Sequence, residues 1–281
     1  MRTALLVGVE SCPAADLRGP AADVALVRAV ICERFELLAR TLPNRAATRD
    51  GVLAALDELV SAARERDRLL FYFAGHGTQV ADTGEGLDET GAVDYHEAIC
   101  PHDFSREDPS RAIRDTELHQ LFAKAIARGA GITAIFDCCF AGGLAARDVV
   151  RGPINAGDEG VRARSLATIE GRWSEAVRSG VLRRVHRMTD VPRTRDGGAS
   201  PVVFGACLAG SLARECRYDT EIRGEFTHHL AAVLATAARG ITNVAVRDAV
   251  RASIAASDPS NRSPSRPVFA PASADQAVFL D

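Results

Sequence analysis

The chain has 281 residues, 47% of them hydrophobic and 25% charged, with a formal net charge of −3. That length suits one large α/β domain or two small ones, and the composition excludes a disordered, collagen-like or low-complexity chain. So small a net charge gives no reason to expect nucleic acid or an anionic membrane as partner, although every one of the 34 basic residues except Lys124 is arginine. No apolar run approaches the ~20 residues of a membrane span. The apolar start, residues 4–9, is shorter than a signal-peptide core of ~7–15 residues. A cytoplasmic protein is expected. The seven cysteines are an odd count without framework spacing, and read as buried thiols of a reducing compartment unless one is a nucleophile.

Residues 3–9 are an apolar run that predicts a buried strand ending at Gly8. A helix is predicted over 21–35, with Val24, Val27, Val30 and Ile31 at helical spacing, and a second strand over 36–41. Thr48 suits an N-cap for a helix over 49–64, whose apolar face is Val52, Leu53, Leu56, Leu59 and Val60. A third buried strand covers 68–73 and stops at Ala74-Gly75-His76-Gly77. After a polar, glycine-rich loop, Thr116 is expected to cap a helix running to 127. A fourth strand over 131–136 ends at Asp137-Cys138-Cys139.

Residues 145–200 differ from their flanks. They hold eleven arginines, with Gly, Pro and Asp clusters at both ends, and read as an inserted loop or linker with room for a helix over 169–185. A strand over 201–208, helices over 225–238 and 242–256 and an edge strand over 267–269 complete the chain. Alternating strands and helices predict an α/β fold with a mostly parallel sheet sandwiched by helices. Chemistry in such sheets gathers at the carboxyl ends of the strands.

His76 and Cys139 both stand at predicted ends of neighbouring strands. A thiol attacks an amide as the thiolate, so it needs an imidazole nearby to take or hold its proton. The N–H groups of Gly77 and Cys139 are candidates for an oxyanion hole, since the carbonyl oxygen becomes negative during attack. Taken singly, His76 also fits a turn residue and Cys139 a buried thiol; their matched contexts favour the pair.

Phe-Tyr-Phe-Ala-Gly-His-Gly (71–77) followed by Phe-Asp-Cys-Cys-Phe-Ala-Gly-Gly (136–143) resembles the caspase/metacaspase clan, closest to bacterial metacaspase-like proteases. Residues 5–9 and 17–23, the stretch from Ala47, Cys100-Pro-His-Asp, Ile113-Arg-Asp-Thr-Glu-Leu and Gly224-Glu-Phe-Thr extend the likeness over nearly the whole chain. The resemblance implies a cysteine endopeptidase with Cys139 as nucleophile, His76 as base and no organic cofactor. It divides the chain into a large-subunit part (1–144), the arginine-rich linker (145–200) and a small-subunit part (201–281). By position it makes Asp23 and Asp137 the pocket acids that select Arg or Lys before the cut, which paired carboxylates suit through bidentate hydrogen bonds to a guanidinium. Asp23 equally fits a helix N-terminal acid. Ala74 and Phe140-Ala141 depart from the Ser and His-Ser that relatives commonly carry, which touches subsite detail rather than chemistry.

The resemblance further implies protein substrates with Arg before the cut, and self-cleavage of a zymogen in the linker. Arg162, Arg164, Arg183, Arg184, Arg193 and Arg195 are the candidate sites, and the same arginines also suit a solvated helix surface. Calcium is a possible cofactor through Asp88, Glu89 and Asp115. The acids after His76 fit a solvated loop as well, and Asp115-Thr116 stands where relatives carry two aspartates, one oxygen ligand fewer for an ion that takes six to eight. Two rival functions remain: a catalytically silent caspase-like scaffold, against which both dyad residues and both acids stand, and a nucleotide-binding signalling domain, against which stands the lack of a phosphate-cradling glycine loop.

Overall fold

The apolar runs of the sequence become strands covered on both faces, as a parallel sheet requires. The computed structural model describes residues 1–81, 93–138, 162–163, 182–184, 201–206, 213–257 and 268–270. In chain order, β1 (Arg2–Gly8) leads through the short β2 (Ser11–Cys12) and β3 (Ala15–Asp16) into α1 (Pro20–Leu26). Then come β4 (Leu38–Leu42), α2 (Arg49–Ser61), β5 (Arg68–Ala74), β6 (Gly77–Ala81), β7 (Val93–Ile99), β8 (Ile113–Arg114), α3 (Asp115–Ala127) and β9 (Gly131–Asp137). The C-terminal half contributes β10 (Arg162–Ala163), β11 (Leu182–Arg184), β12 (Val202–Gly205), β13 (Arg214–Tyr218), β14 (Glu221–Gly224), α4 (Glu225–Thr236), α5 (Asn243–Ser257) and β15 (Val268–Ala270).

Six strands form the central sheet in the order β15-β12-β9-β5-β1-β4. All neighbours are parallel except β15, which runs antiparallel at the edge. The chain moves outward from β1 to β4 through α1, then returns across β1 to β5 through α2. Right-handed crossovers in opposite directions put those helices on opposite faces. Hence α2 and α3 pack together, as do α1, α4 and α5, with the sheet between. Leu5, Leu6, Leu70, Phe71, Tyr72, Phe73, Ile135 and Phe136 are all buried in one core, where the Phe71 ring lies 6.1 Å from Phe122 and 5.8 Å from Phe136. No helix among the described residues is long and apolar enough to cross a membrane.

Several boundaries differ from the sequence expectation. The helix expected over 21–35 is α-helical only to Leu26 and continues as a π-helix over Val27–Cys32. Glu36, at φ 54°, then turns the chain, so β4 starts at Leu38 rather than at 36. Thr48 caps α2 as expected, accepting the Gly51 N–H at 3.1 Å. Thr116 does not cap α3, because the helix already begins at Asp115, where the Glu117 carboxylate reaches back to the Arg114 N–H at 3.1 Å. The polar, glycine-rich loop contains two paired strands, β6 and β7, with β8 added on β7. The last residues of the helix expected over 169–185 are instead β11, which pairs in parallel with β7 through Leu182↔Val93. The rest of that stretch lies outside the described residues. The hairpin of β13 and β14 was not anticipated at all.

Candidate active site

β5 and β9 pair in parallel with Ala74 opposite Asp137. His76 follows Ala74 by two residues, and Cys139 follows Asp137 by two, so the two residues hold equivalent places in sequence beyond neighbouring strand ends. Cys139 itself lies outside the described residues. The strand ends are tied by the Gly75 N–H, 3.3 Å from the Asp137 carbonyl. A side chain at Gly75 would place its Cβ 2.8 Å from the Phe73 ring and 3.3 Å from the Cβ of Val9. Any larger residue there would have to displace the buried Phe73 ring. Cys138 is fully buried, on the core side that the strand alternation assigns to it.

His76 is 4% exposed. Its carbonyl accepts the Cys100 N–H at 3.0 Å, which makes Gly77↔Ile99 a non-hydrogen-bonded pair of the β6–β7 ladder. The Gly77 N–H therefore points away from β7.

The two acids meet at one helix end. Both oxygens of buried Asp23 accept the Gly224 N–H, at 2.8 and 3.1 Å. Oδ2 of buried Asp137 accepts the Thr227 N–H at 3.0 Å and its hydroxyl at 2.5 Å. Gly224 is the N-cap of α4 and Thr227 lies in its first turn. Unpaired N–H groups and the positive end of the helix dipole gather there, which favours carboxylates even when buried. Gly8 lets α1 carry Asp23 so close to the sheet, because a Cβ at Gly8 would stand 2.8 Å from the Pro20 carbonyl oxygen.

Residues 2–146, just over half of the chain, match the family model described as metacaspase, peptidase C14 domain. The chain belongs to the metacaspase family. It is 32% identical over 152 residues to metacaspase-1 of Schizosaccharomyces pombe, an alignment of 50% of this chain and 34% of that protein. Metacaspase-1A of Aspergillus fumigatus is 27% identical over 265 residues, covering 85% of this chain and 61% of that one. The chain thus spans about a third to three-fifths of the length of these curated relatives. A crystal structure of a Geobacter sulfurreducens protein superposes with a TM-score of 0.67 at 20% identity, covering 98% of this chain and 96% of that one. The α/β architecture is common to both.

This metacaspase carries further buried acids that sequence reasoning missed. Glu215 on β13 accepts the Gly19 N–H at 2.7 Å and the Arg18 N–H at 3.1 and 3.3 Å, capping the approach to α1. Glu225 at the start of α4 pairs with Arg214 at 2.8 Å. Nothing in the local pattern marks Glu215 as buried. Nearby, the Tyr218 ring stacks on His228 at 3.6 Å and meets His229 edge-on at 6.0 Å. Burial, with the Glu225 charge second, raises the Cys216 thiol to about 11, and burial raises Cys32 to about 12. Burial also raises Cys100 well above the ordinary value. None of these three thiols ionises at neutral pH.

Of the calcium candidates, Asp88 and Glu89 lie outside the described residues. Asp115 is buried at the start of α3, its Oδ1 accepting the Thr116 N–H at 2.7 Å and lying 3.2 Å from Nδ1 of His96. That oxygen is committed to partners a cation would have to displace, and among the described residues no group of three His, Cys, Asp or Glu gathers as a metal site. Arg162 lies in β10, and Arg183 and Arg184 in β11. Arg164, Arg193 and Arg195 lie outside the described residues.

Proposed function

We propose that this chain is a cysteine endopeptidase that cleaves protein substrates after Arg, or Lys, with Cys139 as nucleophile and His76 as base. The observation that carries the substrate class is the pair of buried carboxylates, Asp23 and Asp137, held at the N-terminus of α4 beside the strand end that leads to His76. Such a pair matches a guanidinium, whose fork of N–H donors suits carboxylates, and it disfavours acidic residues.

In the reaction, His76 takes the thiol proton and Cys139 Sγ bonds to the carbonyl carbon. The oxyanion formed is met by the N–H groups of Gly77 and Cys139. The carbon–nitrogen bond then breaks, His76 delivers the proton to the leaving amine, and a thioester remains on Cys139. Water, losing a proton to His76, attacks that thioester, the carbon–sulfur bond breaks to free the acid, and His76 returns the proton to Cys139 Sγ. No step is routed through calcium.

The large-subunit part is 1–144, the small-subunit part 201–281, and self-cleavage within 145–200 converts a zymogen to the active enzyme. A cytoplasmic location fits the thiols of Cys12, Cys32, Cys100 and Cys216, which form no disulfide. Peptide-library profiling of the wild type beside Cys139→Ala tests the reading. Cleavage after Arg and Lys by the wild type alone is expected, and a preference for Asp before the cut refutes the pocket assignment.

A further inference from the structure

We propose that Thr227 and Tyr72 are positioning residues for the Asp137 carboxylate, and that their hydrogen-bond chain sets the preference for Arg over Lys before the cut. The inference rests on Asp137 being a pocket acid. Tyr72 comes from β5, Asp137 from the end of β9 and Thr227 from the first turn of α4, and all three are buried. The Thr227 hydroxyl lies 2.5 Å from Asp137 Oδ2 and 2.6 Å from the Tyr72 hydroxyl.

Proton counting gives the chain a direction. A carboxylate only accepts, so Thr227 gives its single hydroxyl proton to Asp137. The Tyr72 hydroxyl must then donate to Thr227. Each bond polarises the next in a site away from water, which strengthens both. Thr227 also gives its N–H to the same oxygen at 3.0 Å, so two donors from one residue, held by a helix, fix the plane of the carboxylate.

A fixed plane matters unequally to the two basic side chains. A guanidinium is flat and bonds a carboxylate well only when the two planes align, whereas an ammonium is a compact charge indifferent to that orientation. Loss of the Thr227 hydroxyl removes one of these two donors, so the carboxylate plane is held less firmly while its charge remains. Arg binding then suffers more than Lys binding. A merely structural Thr227 would weaken both alike.

The test measures kcat and KM on two peptides that differ only in Arg or Lys before the cut, for wild type, Thr227→Val, Thr227→Ser and Tyr72→Phe. Thr227→Val keeps the shape and loses the hydroxyl. It is expected to raise KM for the Arg peptide by about 10-fold with little change in kcat, and to lower the Arg-to-Lys ratio of kcat/KM by about 5-fold. Thr227→Ser restores the ratio, and Tyr72→Phe lowers it by about 2- to 3-fold. If Thr227→Val does not fold, the same ratio in Tyr72→Phe decides. An unchanged ratio in the folded variants, or a failure of serine to restore it, overturns the positioning role while leaving the pocket intact. A wild type that cleaves after neither Arg nor Lys overturns the pocket reading itself, and this inference with it.

Discussion

Asp23→Asn separates the two things its carboxylate does. In the fold, both carboxylate oxygens accept one N–H, that of Gly224, and tie α1 to the start of α4. Asparagine keeps a carbonyl oxygen for that donor and loses the charge assistance, at about 0.5–1.5 kcal/mol of stability. Asp23→Ala strands the buried N–H and costs about 1–3 kcal/mol. Toward substrate, the variant loses one charge-assisted bond to a guanidinium, worth about 1.5–3 kcal/mol, which is roughly a 10- to 150-fold fall in kcat/KM. The assay compares an Arg peptide with its citrulline counterpart, which has nearly the same shape and no charge. Asp23→Asn should lower the Arg rate by that factor and leave the citrulline rate within about 2-fold. Equal losses on both peptides, or none on either, would reduce Asp23 to a tie between helices and refute the pocket reasoning.

Cys139→Ala and His76→Ala should each abolish peptidase activity in the same assay, while Cys138→Ala, altering a fully buried thiol, should retain much of it; activity that tracks Cys138 reassigns the nucleophile. The ordinary pKa of both His228 and His229 is lowered, burial being the main cause and the neighbouring His229 and Arg223 adding to it at His228. The unfolded chain therefore binds protons that the folded chain refuses, so stability is full above about pH 7 and falls as pH drops through about 6.5. Thermal unfolding between about pH 7 and 5 should show that slope, and His229→Gln should flatten it. Purified wild type, followed by mass spectrometry with and without calcium, should cut itself within 145–200 while Cys139→Ala stays whole. First cuts at Arg162, Arg183 or Arg184 are not expected, because those residues sit in the paired strands β10 and β11, whose ladder bonds must open before a protease can bind the backbone.

The sequence carried the parts of the fold that local physics decides. Arg68–Ala74 and Gly131–Asp137 announce themselves because a strand buried on both faces must be apolar throughout, and Thr48 announces α2 because its hydroxyl answers an orphan N–H. β6 and β7 stayed hidden for the converse reason. Thr78, Gln79, His96 and Glu97 are polar yet buried within that small sheet, so the stretch has the composition of a loop. The π-helical turn at Val27–Cys32 has no side-chain signature, and β11 forms because β7 offers it a backbone edge. At the site, His76 was legible from its glycines, but Asp23 and Asp137 were placed only through family resemblance. Their meeting point is made by bonds spanning 201 and 90 residues, and no local spacing encodes such a distance.

Those long bonds also bear on the proposed self-cleavage, because a cut in the middle of the chain leaves them intact. Side-chain hydrogen bonds of the two buried acids cross from the N-terminal half to the C-terminal part, Asp23 to Gly224 and Asp137 to Thr227, and Tyr72 to Thr227 and, returning, Glu215 to Gly19 cross beside them. β12 pairs along β9 from Val202↔Thr133 to Gly205↔Phe136, and Phe226 and Leu230 of α4 are buried in the same core as Leu5 and Phe71. None of this passes through residues 145–200. Within 145–200, β10 pairs with β13 and β11 with β7, while burial and charged hydrogen bonds outside that segment hold α4 against the sheet. The proposed cut is expected to leave the bonds from Asp23 and Asp137 to the start of α4 in place.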